Sequence, residues 1–277
     1  MYREYYRFGG LTLALSGEAE WTPSELCQPF RAESAPGQRE IRVAFADQGP
    51  VPPKHAAHEN GLFRWREGDC FCLLQSYGSR YFSFARRTGD ITELALSEGY
   101  RDKLSARVIL ESAGLFDLLA EGGMLVLHSS FLRTREGEAL IFSGPSGVGK
   151  STQAALWERF AGGEVINGDR TLLRPADGSA HGILYAGTSG ICRNASAPVR
   201  AILLLEQAEE NRVFRPRPQE AFARLLSQCA YYPWDGASAA RMTELTAELL
   251  SAVPVYCLAC RKDESAVRTL EDYLRRE

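Results

Sequence analysis

The stretch GPSGVGKST, residues 144–152, gathers three glycines, a lysine and hydroxyl side chains into one short segment. Gly144, Gly149, Lys150 and Ser151 satisfy G-x-x-x-x-G-K-[ST], a spacing that suits the cradling of phosphate oxygens. Several backbone N–H groups must meet a phosphate at once, so the chain has to curl through conformations that glycine tolerates. Gly147 supplies one more such position. Lys150 would bring a full positive charge to the β- and γ-phosphates, and the Ser151 hydroxyl is placed to ligate Mg2+. The expected nucleotide contacts are therefore Gly144, Ser146, Gly147, Val148, Gly149, Lys150, Ser151 and Thr152.

A phosphate loop works only between a strand and a helix, and both are legible. ALIFS (139–143) reads as a buried strand and KSTQAALWERF (150–160) as a helix whose N-terminus favours an anion. Eighteen residues beyond Ser151, EVINGDRTLL predicts a short strand at Val165-Ile166 that ends at Asp169. A carboxylate returned beside the loop could ligate the same Mg2+ or accept a hydroxyl proton; the plainer alternative is a turn residue or a surface pair with Arg170. The long hydrophobic strand ending in DE, expected of a water-activating ATPase motor, is absent. His128 lies on the preceding strand, MLVLHSS, where a lone histidine is ordinarily a satisfied core or edge residue. The Gly/Ser-rich run YAGTSGICRNAS carries Arg193, either solvated or aimed at a transferring phosphoryl group.

The elements around these residues fall into two textures. Residues 1–104 are cut into short strands: LTLALSG, REIRVAF, DCFCLLQSY, RYFSFARR and ITELALS. Beyond them, Val108, Ile109, Leu115, Leu118 and Leu119 recur at helical spacing, with Gly122-Gly123 as a stop. MLVLHSSFLRT and EALIFSG predict two strands joined by a turn. The periodicity then predicts helix 150–161, strands 164–167 and 201–205, helices near 218–229 and 237–251, strand 253–259 and helix 263–275. Strands interleaved with helices argue for an α/β layered domain over 105–277, preceded by a smaller β-rich domain over 1–104 that helps to choose a partner.

With 45% apolar and 24% charged residues and a formal net charge of −3, the chain can bury a core and carries no basic run. Nucleic-acid and membrane-surface partners are not expected. The opening MYREYYRFGG is too polar for a signal peptide, and no apolar run is long enough to span a bilayer, which gives a cytoplasmic expectation. Seven scattered cysteines argue against a disulfide framework. CFC and CLAC could together offer four thiolates to zinc, but VPVYCLAC reads as a buried strand and free buried cysteines are the better expectation. His55 and His58, in HAAHE, read as a solvated loop rather than a metal site.

Taken together, His128, GPSGVGKS, NGDR and the Gly-rich SGI element resemble the C-terminal catalytic domain of HPr kinase/phosphorylases, which belong to the phosphoenolpyruvate-carboxykinase-like P-loop proteins. SGVGKSTQA, INGDRTLL and GTSGICRNASAP strongly resemble segments of the small HPr-kinase-like proteins of peptide-modification systems. The resemblance covers roughly residues 124–206. It implies a P-loop layered α/β kinase domain that transfers the γ-phosphoryl group of ATP to a serine hydroxyl. By the same resemblance Lys150 stabilises the transferred group, Ser151 and Asp169 hold Mg2+, the Asp of GDR acts as base, and His128 stands near the reacting phosphate. Two departures are visible. HPr kinases carry paired aspartates where this chain has Gly168-Asp169, so one carboxylate does two tasks or Asn167 assists. ILYAGTSG replaces the Glu- and Arg-bearing signature, so the resemblance implies neither HPr as acceptor nor phosphorolysis.

The expected partner is a protein or peptide carrying an acceptor serine, and a homo-oligomer is open. Other readings are a kinase for a small metabolite such as free serine, and an ATP-binding scaffold or sensor without transfer. A carboxykinase is disfavoured by chain length and by the lack of that family's metal-binding Lys/His set.

Overall fold

Runs such as REIRVAF and ITELALS alternate apolar and polar residues, the pattern of strands with one buried face. They build the first of two units. The computed structural model describes residues 1–277. The chain divides into residues 1–122 with 231–239, and residues 123–230 with 240–277. The class is mixed α/β, with two multi-stranded sheets. No helix is long and apolar enough to cross a membrane.

In the first unit, β1 (Tyr2–Phe8), β2 (Leu11–Gly17), β3 (Arg39–Ala46), β4 (Ala57–Glu59), β5 (Leu62–Glu67), β6 (Cys70–Tyr77), β7 (Arg80–Thr88) and β8 (Ile91–Ser97) form one sheet in the order β1-β2-β3-β8-β7-β6-β5-β4. Leu13, Leu15, Ile41, Leu94 and Leu96 are its fully buried centre. Of these strands, β1, β4 and β5 were not expected from the sequence; the other five match the predicted runs.

The helical stretch after residue 104 is broken in two, α1 (Ala106–Ser112) and α2 (Leu115–Glu121), at Gly114 with φ 78°. Sequence texture placed the boundary near 104, but the first unit runs on to Gly122. The reason is ionic. Arg64 on β5, only 4% exposed, forks onto Asp117 of α2 with two 2.7 Å bonds. Arg87 of β7 and Arg39 of β3 reach Glu121 at 2.6 and 2.8 Å. Arg64 also donates to Asp235 at 2.6 Å and lies 4.1 Å from the Tyr232 ring, which draws residues 231–239 into this unit. Removing one partner from such a buried pair costs about 3–5 kcal/mol.

The second unit holds β9 (Leu125–Arg133), β10 (Ala139–Ser143), α3 (Lys150–Phe160), β11 (Glu164–Asn167), β12 (Arg170–Arg174), β13 (Ser179–His181), β14 (Ser196–Gln207), β15 (Arg212–Phe214) and α4 (Pro218–Leu226). α5 (Gly236–Ala252), whose first turn, residues 236–239, belongs to the first unit, β16 (Val255–Cys260) and α6 (Glu264–Leu274) complete it. The sheet order is β10-β9-β12-β13-β14-β16-β15, with β10 also paired to β14 and β11 to β9. β10, β14 and β16 are parallel, so their carboxyl ends lie together. All five residues of ALIFS are buried, as a strand covered on both faces requires. Phe142, Leu203 and Leu258 of these strands share a core with Ala154 and Trp157 of α3 and Val267 and Leu270 of α6.

Two strands are long enough to serve two neighbourhoods. On β9, Leu125–His128 pairs with β12, whereas Ser129–Arg133 pairs with β10. β14 likewise pairs with β13 through residues 196–198 and with β10 and β16 beyond them. β11 and β12 follow one edge of β9 in succession, Glu164 opposite Arg133 and Arg170 opposite His128, with a kink at Gly168-Asp169 between them.

All seven cysteines are free. Cys257 and Cys260 are buried in β16, where burial pushes both thiols up to about 11, and Arg224 and Gln153 donate to their sulfurs at 3.3 and 3.1 Å. His58 belongs to a short strand, not a loop, and stacks on the Phe63 ring at 5.4 Å.

Candidate functional site

The phosphate loop leaves β10 at Ser143, curls through Gly144 (φ 151°), Gly147 (φ 79°) and Gly149 (φ 119°), and enters α3 at Lys150. These backbone conformations are the ones the motif demands. Helix starts normally borrow a side-chain oxygen to satisfy their first amides. α6 does so, with Asp263 accepting from the Ser265 amide at 3.0 Å. α3 begins at Gly149, which has no side chain to offer, so its N-terminus is left as an anion-binding end. Ser146, Ser151 and Thr152 are exposed, and Val148 packs against the core beneath the loop.

Lys150 is 7% exposed. Its ammonium donates to the Gly144 and Pro145 carbonyls of its own loop, at 2.9 and 3.1 Å. Burial lowers its pKa, against the charge of Asp169, which raises it. A cation held by two neutral carbonyls is incompletely compensated, and a polyphosphate would supply the missing charge.

The other candidates meet where β9 changes partners. Ser129 of β9 stands opposite Ser143, the last residue before the loop, and the Ser129 amide donates to the Asp169 carbonyl at 3.0 Å. Ser130 Oγ and Ser151 Oγ both donate to the Gly168 carbonyl, at 3.0 and 3.3 Å, so the kink is tied to the first turn of α3. His128 Nε2 lies 3.8 Å from Asp169 Oδ1. On the other side of the ring, the Gln228 side-chain oxygen meets Nδ1 at 3.3 Å. The neutral ring then carries its proton on Nδ1 and keeps the Nε2 lone pair facing Asp169. Burial lowers the His128 pKa first, and Lys150 adds to that; Asp169 and Gln228 oppose it. Two acceptors thus face one another across 3.8 Å. That arrangement suits a bound cation or a hydroxyl proton between them.

Asn167 does not stand in for a second carboxylate. It is fully buried, donates to the Ile183 carbonyl at 2.5 Å, and accepts from the Asp169 and Arg170 amides at 3.1 and 3.0 Å. Its amide shapes the kink. The Gly-rich element lies directly on that kink: a Cβ on Gly187 would come within 2.6 Å of the Asp169 side chain, and one on Gly168 within 2.0 Å of Ser189 Oγ. Glycine at both positions lets the 186–190 loop lie against the Asp169 side chain, which stays 34% exposed.

Arg193 is a correction. Its amide donates to the Ile166 carbonyl at 2.9 Å, and its guanidinium pairs with Glu164 at the far end of β11. The arginine at the site is Arg170, first residue of β12, whose Nε is 3.6 Å from Asp169 Oδ2 and whose guanidinium lies 5.6 Å from the Tyr185 ring. The sequence offers Arg170 only as a surface partner of Asp169. Gln228 was missed because it follows α4, 100 residues from His128.

A second group of ligand-type atoms, on Glu206, Glu220 and Cys257, is already filled by a cation of the chain. Arg224 donates to Glu206 (2.5 Å), Cys257 Sγ (3.3 Å) and the Leu205 carbonyl (3.2 Å).

No protein-family model matches this chain, and no curated protein matches it in sequence.

Proposed function

We propose that the protein is an ATP-dependent kinase that transfers the γ-phosphoryl group to a serine hydroxyl of a protein or peptide. The observation that carries this reading is the convergence of Lys150, His128 and Asp169 at the Gly168-Asp169 kink, where β9 changes partners, with Ser151 tied to the same kink. A nucleotide cradle alone needs no paired acceptors. Their presence beside the loop supports a site that handles a proton as well as a phosphate. The likeness of the GPSGVGKS, NGDR and SGI segments to HPr-kinase-like proteins supports the same reaction and the same P-loop kinase type.

The donor set fits Mg2+: the Asp169 carboxylate and Ser151 hydroxyl offer hard oxygen ligands linked through Gly168. When bound there, Mg2+ would neutralise charge on the β- and γ-phosphates. Lys150 exchanges its loop carbonyls for phosphate oxygens. The α3 amides hold the polyphosphate, Arg170 adds positive charge on the acceptor side, and Gln228 keeps His128 in the tautomer with Nε2 open. The serine hydroxyl gives its proton to Asp169, with Nε2 of His128 as the second acceptor, and its oxygen bonds to phosphorus as the bond to the ADP oxygen breaks. Catalysis is then mostly positioning and charge neutralisation.

The test is incubation with Mg2+ and ATP labelled at the γ-phosphate, in the presence of a serine-containing peptide library or free L-serine. Label on peptide serine supports the proposal, and label on free serine replaces it with a metabolite kinase. Stoichiometric nucleotide binding with no transfer to either overturns it in favour of an ATP-dependent scaffold.

A further inference from the structure

We propose that the groove at the carboxyl ends of β14 and β16 binds the nucleoside part of the nucleotide, ribose and base. The inference rests on the reading of residues 144–152 as a phosphate loop and adds a direction to it. β10 has one neighbour on each side: β9 at Ser129, beside His128 and the Asp169 kink, and β14 at Leu204. A polyphosphate whose terminal phosphate faces His128 and Asp169 must lead its other end away from β9, toward β14 and then β16. Ligands of open α/β sheets sit in crevices outside the carboxyl ends of the strands, which is where that path arrives.

A groove of about 780 Å3 lies at that place, between residues 207–210, the end of β14 and the chain just beyond it, and residues 260–262, the end of β16 and the chain just beyond it. Its volume is within the range of small-molecule sites. Its wall is continuous with the loop. Gln207 Nε2 donates to the Gly147 and Val148 carbonyls at 3.2 and 3.4 Å, and Lys262 Cε lies 3.5 Å from where a Gly149 Cβ would be. The floor is fixed from below by Gln153 of α3, 1% exposed, which donates to Cys260 Sγ (3.1 Å) and the Arg261 carbonyl (2.7 Å).

The lining offers the kinds of group a nucleotide requires. Lys262 stands at the loop end, where a cation meets phosphate. Glu209 and Glu210 are exposed carboxylates and accept only, matching the donor hydroxyls of a ribose. The Arg261 guanidinium, held by Asp263 at 3.0 Å, offers a flat cationic face on which a base can stack.

The experiment compares Mg-ATP with Mg-tripolyphosphate, which has the phosphates and no nucleoside. Binding is measured for the wild type, the double variant Glu209→Gln/Glu210→Gln, the groove-filling Ala208→Trp, and Lys150→Ala. Both groove variants should lose about 10-fold in ATP affinity while holding tripolyphosphate as the wild type does, and Lys150→Ala should weaken both ligands. Groove variants that bind ATP as tightly as the wild type overturn the groove assignment and leave the phosphate loop standing. A wild type that binds neither ligand overturns the phosphate-loop reading itself, and the groove with it.

Discussion

Arg64 and Lys150 are both buried, one in each unit of this protein, and they are treated in opposite ways. Arg64 in the first unit is met by Asp117 and Asp235, and its ring neighbours Phe71 and Tyr232 cover the remaining faces. Burial alone would lower its pKa, but the two carboxylates hold it above the ordinary value. Lys150 in the second unit has only carbonyl oxygens as hydrogen-bond partners, and burial leaves its pKa lowered. The first cation is matched by its own chain and holds the fold. The second is matched only in part, and on our reading the remainder is supplied by a ligand.

The largest expected effect tests that contrast at Lys150. Lys150→Ala should abolish phosphoryl transfer, a fall of about 10^3-fold or more, with the thermal midpoint unchanged or raised because an undercompensated buried charge has gone. Near-normal turnover would remove Lys150 from the transfer site. Asp169→Asn should cost about 10^2–10^3-fold in rate while Mg-ATP affinity falls much less; a variant within a few-fold of wild type would place the base and metal roles elsewhere. Arg64→Ala should show the opposite signature, about 3–5 kcal/mol lost in urea unfolding. A loss under about 1 kcal/mol would mean that the buried pair does not hold the first unit together.

Smaller effects sharpen the site. His128 titrates below the ordinary 6.5, so its Nε2 is open above that pH, and activity is lost as pH falls through the folded pKa. Gln228→Ala removes a bond that raises this pKa, so the acid limb of the rate profile should move to lower pH, with about 10-fold less activity from the freed ring. An unshifted limb would show that Gln228 does not set the protonation of His128. Arg193→Ala should change the rate less than about 2-fold, since its guanidinium pairs with Glu164, as surface pairs contribute little. A large loss would bring Arg193 back to the reacting phosphate.

The sequence made the loop legible because glycine, lysine and serine at fixed spacing leave few conformations, and ALIFS and KSTQAALWERF had unambiguous periods. Helices α4, α5 and α6 and strands β10, β11 and β16 could be read for the same reason. The missed features are those set by distant partners. The first unit extends past residue 104 because Asp117 and Glu121 answer arginines on β3, β5 and β7, a pairing no local pattern announces. β12 and β13 are short strands that exist because β9 and β14 are long enough to pair with them. Arg193 and Arg170 were exchanged in importance because the direction of a loop side chain depends on which strand its amide joins. Gln228 reaches His128 from the end of α4, beyond any spacing rule.

Titration calorimetry with Mg-ATP on the wild type and on Lys150→Ala tests the central contrast most directly. The account predicts saturable one-to-one binding to the wild type and at least about 10-fold weaker binding to the variant, with both proteins equally folded. Equal affinity in the two, or no binding to the wild type, would contradict the claim that Lys150 is completed by a bound polyphosphate.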